Sequence, residues 1–414
     1  MKIAIVGAGV VGLMTAQELS DKGHEVAVFD RNGAAGEGST FASGGIFDAS
    51  YPLPLAGTGS HLSRFLRQTR GFSSVRWTRL GDVHWIWQRA RFHSDALAAR
   101  REDVASKLIQ SGIDINVDLI AKHQWDQEQS FGQTVLLKNE ADIMAYEARL
   151  PAIRDAGLSC QTLERSEIHA IEPSLAGNDS FLKAIHFPQN WVVNCRQLVL
   201  NTKQELAKNG VNFQFNCKVT EVVPGGQPLL RTESGGSMSF DHIVLCTESL
   251  PTPTFVRLPL RAPLVTISAY ALSVPIREPL NAPKSAIRDA NTGITISRLG
   301  RRIRVCGGGE LNMSNKLHHD KQLVSRLFKT LDQYFPGSAS YAAGTQIWRG
   351  SNTHTADGLP LVGKAGVPGV WLNMAHGSNG AGMASAAARL LCEQIEAKST
   401  HLAGEYLDPL RFSR

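Results

Sequence analysis

The chain has 414 residues, too many for one small core, and a length of this order predicts two or three domains. A hydrophobic fraction of 43%, a charged fraction of 19% and a mean hydropathy of −0.13 describe a globular chain and exclude a disordered, collagen-like or coiled-coil one. The formal net charge of +6 raises nucleic acid or anionic lipid as a partner, and no apolar run reaches the ~20 residues of a membrane-spanning helix.

Ile3 to Val6 is a short, unbroken apolar run, the pattern of a parallel strand covered on both faces. Gly7-Ala8-Gly9-Val10-Val11-Gly12 follows, then helical spacing from Leu13 to Ser20, a stop at Gly23, and a second strand from Glu25 to Phe29 that ends at Asp30. This is a βαβ unit carrying G-x-G-x-x-G in its proper place. The first glycine permits the tight turn, the second admits a pyrophosphate, and the third lets helix and strand approach. Phosphates would sit on the helix N-terminus, and Asp30 would accept hydrogen bonds from a ribose diol and repel a 2′-phosphate. The apolar start is broken by these glycines and leads to no small-residue cleavage site, so a cytoplasmic, reducing setting is expected. Cys160, Cys195, Cys217, Cys246, Cys306 and Cys392 are scattered and predict structural thiols and no metal site.

The motif does not choose between NAD and FAD. After Arg31 comes a small-residue loop that includes Ser39, Thr40, Ser43, Gly44 and Gly45, against which a large flat ring could lie. Near the other terminus, Val370 to Met374 reads as a buried strand. His376-Gly377-Ser378-Asn379-Gly380-Ala381-Gly382 reads as a second glycine-rich turn, and Met383 to Ile395 as an alanine-rich helix. Two anion-friendly helix starts suit an extended cofactor better than a mononucleotide. An NAD-dependent dehydrogenase and a basic binding module without catalysis fit less well.

These segments resemble a known family. The fingerprint over residues 3–31, the loop 39–45 and the paired tryptophans in His84-Trp85-Ile86-Trp87-Gln88 carry the likeness, with Ser297-Arg298 and Arg302 to Val305, the turn Thr355 to Gly363, and His376-Gly377. In order over essentially the whole chain, they resemble the FAD-dependent D-amino acid oxidase superfamily and, within it, the bacterial D-amino acid dehydrogenases. The resemblance implies an α/β fold: a Rossmann-type FAD-binding domain (1–50, 151–250 and 351–414) and a discontinuous α+β substrate domain with an antiparallel sheet (51–150 and 251–350). It implies FAD as cofactor, Val219 against the adenine, Thr247 in the flavin-side turn, and oxidation of an amino acid or amine at its C–N bond by hydride transfer to flavin N5. An imine and then a keto acid would result.

Within the resemblance, Tyr270, Arg349, Asn352, His354 and His376 are the candidate catalytic residues. The chain departs from the pattern at three places. Asn352 and Thr353 stand where the dehydrogenases carry arginine and proline, Ser268 and Ala269 replace a basic residue, and Glu248 replaces a glycine. Arg349 or Arg288 would then have to supply the substrate-anchoring charge. The altered anchor also admits a tailoring enzyme or redox subunit acting on an N-substituted or cyclic amine.

The basic charge is local. From Arg64 to Arg101 nine arginines face only Asp82 and Asp95, with Trp77, Trp85 and Trp87 among them. No nucleic-acid motif accompanies them. Two readings stand: a solvated helical face with aromatic core anchors, or a surface resting on the inner face of the membrane, within reach of a quinone or other electron acceptor. The oligomeric state is left open.

Overall fold

The structure, a computed structural model, describes residues 1–50, 74–75, 80–92, 97–249, 252, 255–311, 321–342 and 344–413. Alternation along the first strand, β1 (Lys2–Val6), explains its apolar run: Ile3 and Ile5 enter one buried cluster, Ala4 and Val6 another. Around it lies a six-stranded sheet in the order β18 (Leu361–Lys364), β19 (Val370–Met374), β12 (His242–Leu245), β1, β2 (Glu25–Phe29), β8 (Asn212–Gln214). All neighbours are parallel except β18 and β19. Helices α1 (Val10–Asp21), α6 (Cys195–Lys208) and α8 (Gly380–Ile395) cover one face. The small sheet β9 (Val219–Val223), β10 (Leu229–Thr232), β11 (Ser237–Ser239) covers the other. This is the expected Rossmann-type arrangement.

The second sheet has ten strands. Its path runs β17 (Gln346–Thr355), β13 (Leu264–Pro275), β16 (Arg302–Leu311), β15 (Thr295–Leu299), β14 (Ala286–Asp289), β5 (Ser130–Leu137), β7 (Lys183–Val192), β3 (Ile46–Phe47). β4 (Ser74–Val75) pairs with β16 and β6 (Gln161–Glu164) with β7. It is antiparallel apart from the β14–β5 and β16–β4 pairs. Period-two alternation gives it two faces. Tyr270, Leu272, Ile287, Ile296 and Ile303 pack outward with Leu323, Leu327 and Leu331 of α7 (Lys321–Tyr334). Val135, Ile185 and Phe187 face inward, against Ile143 and Ile153 from α4 (Glu140–Glu147) and α5 (Leu150–Asp155).

Strand pairing redraws the expected division of the chain. Residues 161–192, expected in the cofactor half, belong to the second sheet through β6 and β7, because their hydrogen-bond partner is β5. Helix α3 (Ala98–His123), expected in the substrate half, packs on α8 of the first layer. The single strand expected over 211–222 is two strands in different sheets, β8 and β9. Asn216 turns the chain between them at φ 52, a left-handed conformation asparagine tolerates. Helix α8 starts at Gly380, three residues before the predicted start. Of the basic stretch, residues 64–73, 76–79 and 93–96 lie outside the described residues. The remainder includes α2 (Leu80–Phe92), in which Trp85 is buried and Trp87 exposed.

The α3–α8 contact depends on two glycines. A Cβ on Gly112 would stand 1.9 Å from the Gly382 carbonyl oxygen. The approach is locked by Asn116, which donates to the Gly112 carbonyl at 2.8 Å and accepts from Ser385 at 2.9 Å. Replacing Gly112 with alanine gains ~1 kcal/mol of helix propensity but forces two packed backbones apart, an overpacking cost of ~1–3 kcal/mol or more. Gly112→Ala is therefore expected to lower the thermal unfolding midpoint, and an unchanged or raised midpoint would show that the crossing is loose.

Candidate active site

One cavity of about 1500 Å³ lies between the C-terminal ends of the parallel strands and the inner face of the ten-stranded sheet. Its first end is the βα turn. Gly7 has φ 114, and a Cβ on Gly12 would fall 1.8 Å from the Gly7 carbonyl oxygen, so only glycine at 12 lets α1 start so close to β1. Gly12 itself does not line the cavity; Gly7, Gly9, Val10 and Val11 do. Asp30 lines it too, its carboxylate accepting the Ala8 amide at 2.7 Å and the Asn32 amide at 2.8 Å. Val219 and Thr247 lie on the same wall, and the Thr247 hydroxyl donates to the Ser249 carbonyl at 2.8 Å.

The loop 39–45 forms the middle of the wall, and Ser39, Thr40, Ser43, Gly44 and Gly45 all line the cavity. Thr40 accepts the Val10 amide at 3.1 Å, joining the loop to the start of α1. From the opposite sheet Arg304 donates to the carbonyls of Phe41 and Ser43 at 2.8 and 3.1 Å, and Ser297 to that of Gly44 at 2.7 Å. Glu248, at the position where the resemblance expects glycine, accepts the Ser39 amide at 2.6 Å and pairs with the exposed Arg31 at 3.5 Å. It ties the end of β12 to the loop.

The turn between β19 and α8 closes the cavity from the C-terminal side. Ala375 (φ 60) and Gly377 (φ 63) both take left-handed backbone, a strained choice for alanine. His376 lies between them and bridges in antiparallel fashion to His354 of β17. A Cβ on Gly377 would stand 2.7 Å from His354 Nδ1, so the two turns touch only because residue 377 has no side chain. Ser378, Asn379, Gly380 and Ala381 line the cavity. Gly382 does not: the expected cofactor contact is instead the helix-packing glycine opposite Gly112.

Hydrogen bonds fix the His376 tautomer. The Thr15 hydroxyl donates to the Val11 carbonyl, so its oxygen accepts Asn373 Nδ2 at 3.0 Å. Asn373 Oδ1 then faces His376 Nε2 at 2.8 Å, which must carry the proton. Nδ1 is left as a buried acceptor with no partner among the described residues. Burial pushes the His376 imidazole down to about 3. His354 is also pushed to about 3, first by burial and then by the nearby Arg89 charge; its ring borders the cavity but protein surrounds it on the longer range over which charge is solvated. Its carbonyl accepts Trp85 Nε1 at 3.3 Å, which gives the first tryptophan of the pair its place.

Two expected substrate anchors are engaged elsewhere. Tyr270 is 1% exposed, belongs to the outward apolar cluster, and donates from its hydroxyl to Glu310 at 3.2 Å. Arg349, opposite Tyr270 in the β13–β17 pairing, reaches the same carboxylate at 3.4 Å and does not line the cavity. Asn352 and Arg288 do line it. Sequence reading missed Asp48, Glu102, Gln133 and Arg149, which gather at the end opposite Asp30; no local motif marks them, because they come from four separate segments. Cys195, Cys217, Cys246 and Cys306 border the cavity as free thiols, and burial pushes each of them up.

The DAO family, FAD dependent oxidoreductase, matches residues 2–394. The chain belongs to this family. It is 27% identical over 408 residues, 96% of each chain, to a D-amino acid dehydrogenase of Bradyrhizobium diazoefficiens. Its fold superposes on glycine oxidase from Geobacillus kaustophilus (TM-score 0.75, 19% identity, 99% of this chain and 98% of that one). It also superposes on L-proline dehydrogenase from P. horikoshii (TM-score 0.75, 15% identity, 100% and 98%). FAD is the family's cofactor, and the residues present fit it: the side-chain-free turn at Gly7 and Gly9, the Asp30 carboxylate, and the unpartnered His376 Nδ1 all border one elongated cavity.

The two depressed histidines make a pH prediction. In the unfolded chain each titrates near 6.5, so between that value and about 3 the unfolded state binds more protons than the folded one. The stability they contribute is complete above pH 6.5 and is lost as the pH falls toward 3. Denaturant unfolding at pH 7, 6, 5 and 4 should show this decline, and His376→Asn should make it shallower; an equal slope in the variant would mean that His376 is charged in the fold.

Proposed function

We propose that this FAD-dependent oxidoreductase oxidises the C–N bond of an amino acid, D-configured or a related amine, to an imine that water hydrolyses to a keto acid. The observation that carries the reading is the single cavity joining a dinucleotide turn at Asp30 to a sheet wall bearing Asn352 and Arg288. The matched relatives' names, D-amino acid dehydrogenase and glycine oxidase, support it. When bound, FAD supplies the hydride acceptor. The starts of α1 and α8 offer unpaired N–H groups and positive dipole ends to its negative charge. Asp30 holds a ribose diol, and the loop 39–45, pinned by Arg304, offers main chain to the ring. The neutral His376 accepts a hydrogen bond at Nδ1 and does not serve as a charged acid near neutral pH. The sheet and α2–α3 enclose the substrate and exclude water, which keeps the reacting amine oriented.

A second reading, an N-substituted or cyclic amine as substrate, is favoured by Asn352, which brings no charge to the position where the resemblance expects arginine. The purified protein is expected to be yellow and to release FAD on denaturation. Anaerobic mixing with D-amino acids, N-alkyl amino acids and cyclic amino acids should bleach the flavin with one class. Bleaching by D-amino acids supports the first reading, by N-substituted or cyclic compounds alone the second, and by none of them neither.

A cytoplasmic protein peripheral on the membrane, handing electrons to a quinone, is the reading supported by α2. There Trp87 is 55% exposed with the Arg91 guanidinium 6.0 Å from its ring centre, and among the described residues no helix is long and apolar enough to cross a membrane. Vesicles containing anionic lipid should carry the protein upward in a flotation gradient at low salt and release it at high salt; protein left at the bottom at low salt removes the membrane from the account.

A further inference from the structure

We propose that the end of the cavity opposite Asp30 is a carboxylate-binding subsite built from Arg288 and Arg149, supplying the charge that position 352 lacks. The proposal rests on the amino acid reading and adds the residues that would recognise the substrate's carboxylate.

The sheet register sets the direction of Arg288. In β14 it lies opposite Thr295 of β15, which in turn lies opposite Cys306 of β16; on the other side β14 pairs with β5, where Gln133 is opposite Ala286. Arg288, Thr295, Cys306 and Gln133 all border the cavity, whereas Ile287, the next residue along β14, enters the outward apolar cluster. Alternation therefore puts the Arg288 side chain on the cavity face.

Arg149 arrives from a different element, the residue before α5. It is 6% exposed, borders the cavity and donates through Nη2 to the Ser50 carbonyl at 3.1 Å. The two arginines are close enough that the charge of Arg288, added to burial, pulls the Arg149 guanidinium below its usual range. Two like charges held in a poorly solvated space are stabilised by an anion between them.

The carboxylates already present do not fully supply one. Asp48 directs one oxygen to three donors, the Ser50 amide, the Ser50 hydroxyl and Asn190. Glu102 is pushed up to about 7 by burial and so is only partly ionised at neutral pH. Arg89 and Arg101 border the same cavity and add to the positive side. By contrast Arg349 is paired with Glu310 behind the sheet. A guanidinium offers two parallel N–H groups to a carboxylate, the geometry that an asparagine at 352 cannot reproduce with charge.

Benzoate and benzamide, a carboxylate and its neutral isostere without an oxidisable C–N bond, provide the test by calorimetric titration of the FAD-loaded protein. The wild type is expected to bind benzoate more tightly than benzamide. Arg288→Met should weaken benzoate by roughly 10- to 100-fold and leave benzamide nearly unchanged, and Arg288→Lys and Arg149→Lys should fall between. The lysine variants keep the charge and guard against a methionine variant that does not fold. The subsite is overturned if the wild type shows no preference for benzoate, or if the preference survives in the Arg288 variants. A wild type that binds benzoate in this way, yet whose flavin no amino acid or amine reduces, would retain the subsite and remove the oxidation reading.

Discussion

Everything at the cofactor end depends on one backbone contact, the carbonyl of Gly7 against the α-carbon of Gly12. A methyl group there would overlap the oxygen at 1.8 Å, so α1 could not begin where it does. Its N-terminus would then not face the cavity, and Asp30, held by the amide of Ala8 inside that turn, would lose its partner. The same device returns where α3 crosses α8 at Gly112 and Gly382, and where Gly377 lies against His354. In each place an absent side chain lets main chain meet a neighbour and leaves polar groups in reach of a ligand.

The second constraint is the seam between the two sheets. Arg304 reaches from β16 to the carbonyls of the loop 39–45, and Trp85 of α2 donates to the carbonyl of His354. The backbone bridge between His354 and His376 joins β17 to the turn before α8. Asp357 accepts two hydrogen bonds from Arg411, at 2.8 and 3.0 Å, while that guanidinium also donates to the carbonyls of Leu359, Pro360 and Asp408. With four further acceptors satisfied by one buried cation, the turn after β17 is held from the C-terminus. The cavity is consequently walled by segments that are far apart in sequence, and its two ends differ in chemistry: a ribose-binding carboxylate at one, arginines at the other.

Local patterns made the cofactor half legible. Strands β1, β2 and β19 stand where apolar runs predicted them, because a strand buried on both faces must be apolar at every position and a parallel sheet leaves no alternative. The glycine spacing is legible for a similar reason, since a ligand-binding turn of fixed length needs its glycines at fixed places. Asn216 was not legible as a break between β8 and β9: strand-like residues flank it on both sides, and only the sheets they join separate them. The candidate anchors on β13 and β17 failed for a comparable reason. Sequence gives a strand its alternation but not which of its two faces meets the cavity, and Tyr270 and Arg349 proved to share the face that meets Glu310.

By itself, then, the sequence determined a dinucleotide-binding βαβ unit with an acidic ribose partner, a second glycine-rich helix start near the other terminus, and family membership through motifs kept in order. Each is a local feature, written in residues a few positions apart. Only tertiary structure decided which arginines border the cavity, that His376 is a neutral acceptor, that Gly382 packs a helix, and that residues 161–192 complete the second sheet. Those depend on which face of a strand is covered and on partners a hundred or more residues away, as with Arg149 and Ser50 or Thr15 and Asn373, and no spacing within one segment encodes that.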